Sequence, residues 1–348
     1  MNKTPSTSLA RTVDLLEQAT GVVIPTYFHA ETDPQFAEDL LASTVQLFVR
    51  EVADAQHICI SADGPGLAAQ VAERVASRYQ TRWLASEKNG GKLSSLRNGM
   101  RELLEKSDVH YLTAVDHDGD HFANELLNFV RAAEHVTNYT GNERVIVLGN
   151  RISLHRPLGF LRAEQEELAD RMLLDALHYN AAICGRPLAL QFATTIHEVP
   201  DFHSGYKLFS RPTSEAIFLS EPNLAGCSEV AYFRHAIEAV MIVEALEDGA
   251  LLATVNRSTF DEQPISTFAR MDRSQLTANL IIWPCKRLKI PAPFVAQWLA
   301  NHLPKLLLGT LAPQGRAELL AIRNVVLQAF DLVLPEDEAA LITRAEFV

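Results

Sequence analysis

Apolar residues along this chain fall into two alternating patterns: short continuous runs, and longer stretches spaced by three or four positions. Leu9, Val13, Leu15 and Leu16 have helical spacing, and Gly21 then precedes the run Val22-Val23-Ile24, which Pro25 stops. Phe36, Leu40, Leu41, Val45, Phe48 and Val49 repeat the helical spacing between Pro34 and Val52, leading into a second run at His57-Ile58-Cys59-Ile60. The rhythm predicts a helix over Leu67 to Tyr79, a strand over Thr81 to Ala85, a helix over Leu93 to Glu105, and strands at Tyr111 to Val115 and Arg144 to Leu148. Such alternation predicts a mostly parallel sheet flanked by helices. After a helical segment over Glu164 to Ala182 and a turn at Gly185-Arg186-Pro187, the pattern changes past Arg270 to helices punctuated by prolines.

In open sheets of this kind ligands gather at the carboxyl ends of the strands, so the residues after each run carry the chemistry. Those ends read Pro25-Thr26-Tyr27, Ser61-Ala62-Asp63-Gly64, Asp116-His117-Asp118-Gly119-Asp120 and Gly149-Asn150-Arg151. Composition narrows what they do. The 348 residues are 47% hydrophobic, enough for a large core, and 31 Lys+Arg against 43 Asp+Glu leave a net charge of -12, which disfavours nucleic-acid partners. No run approaches the ~18 apolar residues of a membrane-spanning helix. The N-terminus has no apolar core of a secretory type, so a cytoplasmic location is expected. Cys59, Cys184, Cys227 and Cys285 stand too far apart for a zinc site or a disulfide framework.

Asp116, Asp118 and Asp120 alternate directly after an apolar strand, where like charges require a counter-ion. A divalent cation supplies one, and an all-oxygen ligand set suits Mg2+ or Mn2+. An EF-hand would need Gly and Glu where this chain has His121 and Leu127. A phosphatase of the haloacid-dehalogenase type would use Asp116 as nucleophile and Asp118 as acid/base, and it stands as the rival enzyme reading.

The motifs resemble glycosyltransferase family 2, with its GT-A fold, most closely the polyprenyl- or dolichol-phosphate mannosyltransferase branch. The resemblance covers roughly Gly21 to Thr267 and rests on Val22 to Tyr27, Ile60 to Gly64, Asn89-Gly90-Gly91-Lys92 with Ser95, Arg97 and Asn98, Asp116 to His121, Val145 to Arg151, and Asp201 to Arg211. It implies a Rossmann-like α/β sheet: a leader and helix over 1–20, a GT-A domain over 21–268 (nucleotide-binding half 21–150, acceptor half 151–268) and a helical C-terminal extension over 269–348. It also implies sugar transfer from a UDP- or GDP-linked donor with Mg2+ or Mn2+ held by Asp116, Asp118 and Asp120. Pro25, Thr26, Tyr27, Asp63, Lys92, Arg97, Asp116, Arg151, Ser204, Gly205 and Lys207 would bind the nucleotide sugar. Asp118 and, as general base, an acid at Glu229 or Glu238 would act in catalysis. His121 and His203 are candidates for the metal shell or for structural hydrogen bonds. The acceptor is soluble or lipid-linked; in the mannosyltransferase branch Ser and Asn stand where this chain has Glu166 and Asp170, and carboxylates there repel an acceptor phosphate, which favours the soluble one. The apolar Leu303 to Leu311 segment leaves peripheral membrane contact and homo-oligomer formation open. A GT-A domain that binds nucleotide sugars without turnover is the alternative from a different class.

Overall fold

The computed structural model describes residues 5–153, 155–193, 199–260 and 272–334. Its elements run α1 (Pro5–Ala19), β1 (Thr20–Thr26), α2 (Pro34–Glu51), β2 (Ile58–Ala62), α3 (Leu67–Tyr79), β3 (Arg82–Ala85), α4 (Lys92–Lys106), β4 (Tyr111–Ala114), α5 (Leu126–Thr140), β5 (Val145–Arg151) and α6 (His155–Ile183). They continue with β6 (Lys207–Ser210), α7 (Arg211–Phe218), α8 (Ile237–Glu247), β7 (Leu251–Arg257), α9 (Arg273–Arg287), α10 (Ala292–His302), α11 (Leu308–Leu311) and α12 (Gly315–Ala329). The expected α/β class is borne out: one seven-stranded sheet in the order β3-β2-β1-β4-β6-β5-β7, flanked by helices.

The chain forms two compact units, one of Met1–Ile152, Ala189–Glu221 and Met241–Thr259, the other of Ser153–Leu188, Pro222–Val240 and Phe260–Val348. The expected acceptor half over 151–268 is thus shared between them, and the expected boundary at 268/269 lies outside the described residues. The first unit holds the sheet. Its central strands are buried throughout, as expected when both faces of a sheet are covered: every residue of β1, β2, β4 and β5 is buried. Helix α4 packs on β1 and β2, and α5 on β5 and β7.

One strand departs from the parallel expectation. β6 runs antiparallel to both neighbours, with Lys207 opposite Ala114 of β4 and Leu148 of β5. The reversal puts the start of β6 at the sheet edge where β4 and β5 end. The loop before it, Ser204-Gly205, therefore joins the strand ends that carry the chemistry.

The second unit is helical around α6, α9 and α12. Part-buried hydrogen bonds staple it: Gln165 Nε2 and Arg273 Nε both donate to Glu318 Oε1 at 2.8 Å, and Trp298 Nε1 donates to Asp175 Oδ2 at 2.7 Å. Among the described residues no helix is long and apolar enough to cross a membrane.

Close packing of α4 on the sheet depends on Gly99. A Cβ there would stand 2.4 Å from Val23 Cγ1 and 3.2 Å from Ser61 Cβ. Gly99→Ala is expected to destabilise the fold by about 1–3 kcal/mol through overpacking, read as a lower urea midpoint. An unchanged or raised midpoint, the outcome helix propensity alone favours, would contradict this packing.

Candidate functional site

Six strand or loop ends of the first unit supply the site, and ion pairing decides what each side chain does. Asp63, at the end of β2, is buried, and its Oδ1 accepts the Gly90 and Gly91 N–H groups at 2.7 and 3.1 Å, while Oδ2 accepts the Gly91 N–H at 3.0 Å. These bonds fix the turn that launches α4, with Gly91 in a left-handed conformation (φ 99°) that side chains resist. Lys92 is the first residue of α4, and its Nζ lies 2.8 Å from Asp116 Oδ1, just past the end of β4.

Asp116 is gripped on its other side as well. Its backbone N–H donates to His121 Nδ1 at 2.9 Å, and His121 Nε2 lies 3.9 Å from Asp116 Oδ2. The His121 ring stacks on Tyr206 with centroids 4.7 Å apart. Burial and the Arg257 charge push this imidazole well below its ordinary range, in keeping with a neutral ring whose Nδ1 accepts. Gly205 closes over the same carboxylate: a Cβ at that position would be 2.6 Å from Asp116 Oδ2. Burial by itself would raise the Asp116 carboxyl, but the Lys92 ammonium outweighs it and holds the group well below the usual carboxylate range.

Asp118 has no such support. It is buried, its Oδ1 accepts the Asp120 N–H at 3.1 Å, and among the described residues no cation stands at ion-pair distance. Burial and the adjacent Asp116 charge push its carboxyl up to about 7. Asp120 is instead paired: Arg257 Nη1 lies 3.2 Å from its Oδ2 and donates to its backbone carbonyl at 3.0 Å. Arg257 Nε also lies 3.2 Å from Ser204 Oγ. Among the described residues no group of three His, Cys, Asp or Glu side chains is gathered for a metal ion. The structure therefore brings Asp116 and Asp118 together but gives Asp120 to Arg257. Two adjacent hard carboxylates, one lacking a counter-charge, still fit Mg2+ or Mn2+, which bind through one or two carboxylates and take their other oxygens from ligand phosphate and water.

Several expected nucleotide contacts have structural partners. Arg97 donates to the carbonyl of Ile217 at 2.9 Å and to that of Ser220, clamping the end of α7. Arg151 holds Asp201 in a buried bidentate pair, with Nε to Oδ2 at 2.7 Å and Nη2 to Oδ1 at 2.5 Å. Lys207 is buried and donates to the Ser204 carbonyl. Pro25 and Thr26 end β1, where the Pro25 carbonyl lies 3.2 Å from His117 Nδ1 and the Thr26 carbonyl accepts the Asp63 N–H at 2.9 Å; half-buried Tyr27 follows. His203 is buried. Glu229 and Glu238 lie in the second unit, the first exposed and the second half-buried. In that unit Arg162 Nε donates to Glu166 Oε1 at 2.7 Å.

Arg257 escaped the sequence reading because Leu251 to Val255 was not recognised as a strand. The available signal was the Asn-Arg ending shared by β5 and β7, whose Asn150 pairs with Asn256 and Arg151 with Arg257 in register.

The buried pair makes a stability prediction. Asp201→Ala leaves Arg151 charged and enclosed and is expected to cost about 3–5 kcal/mol in denaturant unfolding. Asp248→Ala, which opens the exposed Arg144 pair at 2.7 Å, is expected to cost no more than about 1 kcal/mol. Equal losses would contradict the difference drawn between the two pairs.

No family model and no curated protein matches this chain. Solved structures do align with it. A mannosyltransferase from Pyrobaculum calidifontis, in complex with GDP-Man and Mn2+, is 12% identical over 97% of this chain and 86% of its own, with a TM-score of 0.48. S. aureus TarS, residues 1–349, is 11% identical over 90% and 89% of the respective chains, with a TM-score of 0.39. Likenesses this distant carry no argument about function, and the fold stands on the sheet described above.

Proposed function

We propose that this chain is a metal-dependent glycosyltransferase, similar to family 2, that moves a sugar from a UDP- or GDP-linked donor to an acceptor. The observation that carries the reading is Asp118, a buried carboxylate beside Asp116 with no cation of the described residues at ion-pair distance. Bound Mg2+ or Mn2+ would neutralise charge on the nucleoside-diphosphate leaving group.

The chain's own residues do the remaining work. Asp116 and Asp118 would hold the ion against the diphosphate. Pro25, Thr26 and Tyr27 would line the nucleotide, with Asp63 keeping the Gly90-Gly91 turn, and so Lys92, in place. Ser204 and Gly205 permit close backbone approach by the sugar, and Arg257 positions that loop through Ser204. Lys207 would place positive charge at the same sheet edge, and Arg151 would act through its pair with Asp201. Arg97 acts by holding α7. Glu229 or Glu238 would supply the general base, and the acceptor would be soluble or lipid-linked, with the carboxylates of Glu166 and Asp170 favouring the soluble one.

Calorimetric titration with UDP and with GDP, each with Mn2+ and after chelation, tests the reading. Metal-dependent binding of one nucleotide is expected, weakened at least about tenfold in Asp116→Asn and Asp118→Asn. Binding of neither nucleotide, together with phosphate release from p-nitrophenyl phosphate and phosphorylation of Asp116, would replace it with the phosphatase reading. Metal-dependent binding without transfer to any acceptor would reduce it to a nucleotide-sugar-binding domain.

A further inference from the structure

We propose that Lys92 is a resident counter-ion that competes with the divalent cation for Asp116, so that the donor diphosphate opens the metal site by drawing the ammonium away. The inference rests on the glycosyltransferase reading of the same site.

The two oxygens of Asp116 have different surroundings. Oδ2 is walled in, with Gly205 so close that a Cβ there would stand 2.6 Å away, and with His121 Nε2 at 3.9 Å. Oδ1 is the oxygen that Lys92 takes, at 2.8 Å. A divalent ion bound to Oδ1 would sit about 2.0–2.2 Å from it. Ion and ammonium would then be like charges a few ångströms apart, in a partly enclosed site where repulsion is weakly screened. One of them must withdraw.

Lys92 is built to be the one that moves. Its side chain is 31% exposed, and it stands on the first turn of α4, whose backbone the Asp63 bonds to Gly90 and Gly91 hold in place. The flexible four-carbon stem can swing its charge without disturbing the helix. A diphosphate offers more charge and more acceptor oxygens than a single carboxylate, so it wins the ammonium from Asp116. Asp116 is then left beside unneutralised Asp118, and the pair is ready for a cation. The consequence is positive coupling between nucleotide and metal, which linkage makes reciprocal.

The test is titration of the full chain with Mn2+, followed by the electron paramagnetic resonance of the free ion, with and without GDP or UDP. Wild type is expected to bind Mn2+ weakly alone and more tightly with the nucleotide. Lys92→Met is expected to bind Mn2+ alone about tenfold more tightly than wild type, and nucleotide should tighten it by a smaller factor. Lys92→Arg, which keeps the charge, is expected to behave as wild type. A merely structural Lys92 would not make metal binding stronger when removed. Unchanged or weaker Mn2+ binding by Lys92→Met, while wild type binds Mn2+ with nucleotide, would overturn the competition and leave the site reading standing. Absence of Mn2+ binding in every protein, with and without nucleotide, would overturn both.

Discussion

The constraint that organises this protein is the neutralisation of carboxylates crowded at one edge of a sheet. A buried carboxylate is tolerated only with a partner, because burial withdraws the water that would otherwise stabilise its charge. The first unit answers this residue by residue. Asp201 has Arg151, Asp120 has Arg257, Asp116 has Lys92, and Asp63 has the amides of Gly90 and Gly91. Among the described residues Asp118 has only a backbone N–H at hydrogen-bond distance and a like-charged neighbour, and burial with that neighbour pushes its carboxyl up to about 7.

The reversed strand makes the crowding possible. In an all-parallel arrangement the segment before β6 would enter from the opposite edge of the sheet. Running antiparallel between β4 and β5, β6 instead begins where they end and delivers Ser204 and Gly205 against Asp116. Arg257 then links three of these pieces, touching Asp120, Ser204 and the carbonyl of Ser258. The apolar rhythm of the chain and the chemistry of the site thus meet in topology: hydrophobic runs place the strands, and strand direction decides which polar ends come together.

Much of this was legible in the sequence. The runs at Val22 to Ile24, His57 to Ile60 and Tyr111 to Val115 mark real strands, and reading the residues behind them found Asp63, Asp116 and Asp118. What escaped depended on long-range pairing. β6 has four residues, Lys207–Ser210, too short for a clear period, and its direction is set by neighbours distant in sequence. The same limit affected the cations. Nothing local tells that Arg97 will clamp Ile217 and Ser220, or that Arg151 will close on Asp201, since each partner lies 50 or more positions away. Asp120 sits in the acidic motif by spacing, and nothing local shows that Arg257, 137 residues later, will pair with it.

The most direct test of the central claim is a crystal structure grown with Mn2+ and the nucleotide that binds, with anomalous diffraction recorded at the manganese edge. The account predicts one anomalous peak coordinated by Asp116 and Asp118 and by diphosphate oxygens, with Asp120 still on Arg257. A peak held by other residues, or a diphosphate bound with no ion at Asp116 and Asp118, would contradict it.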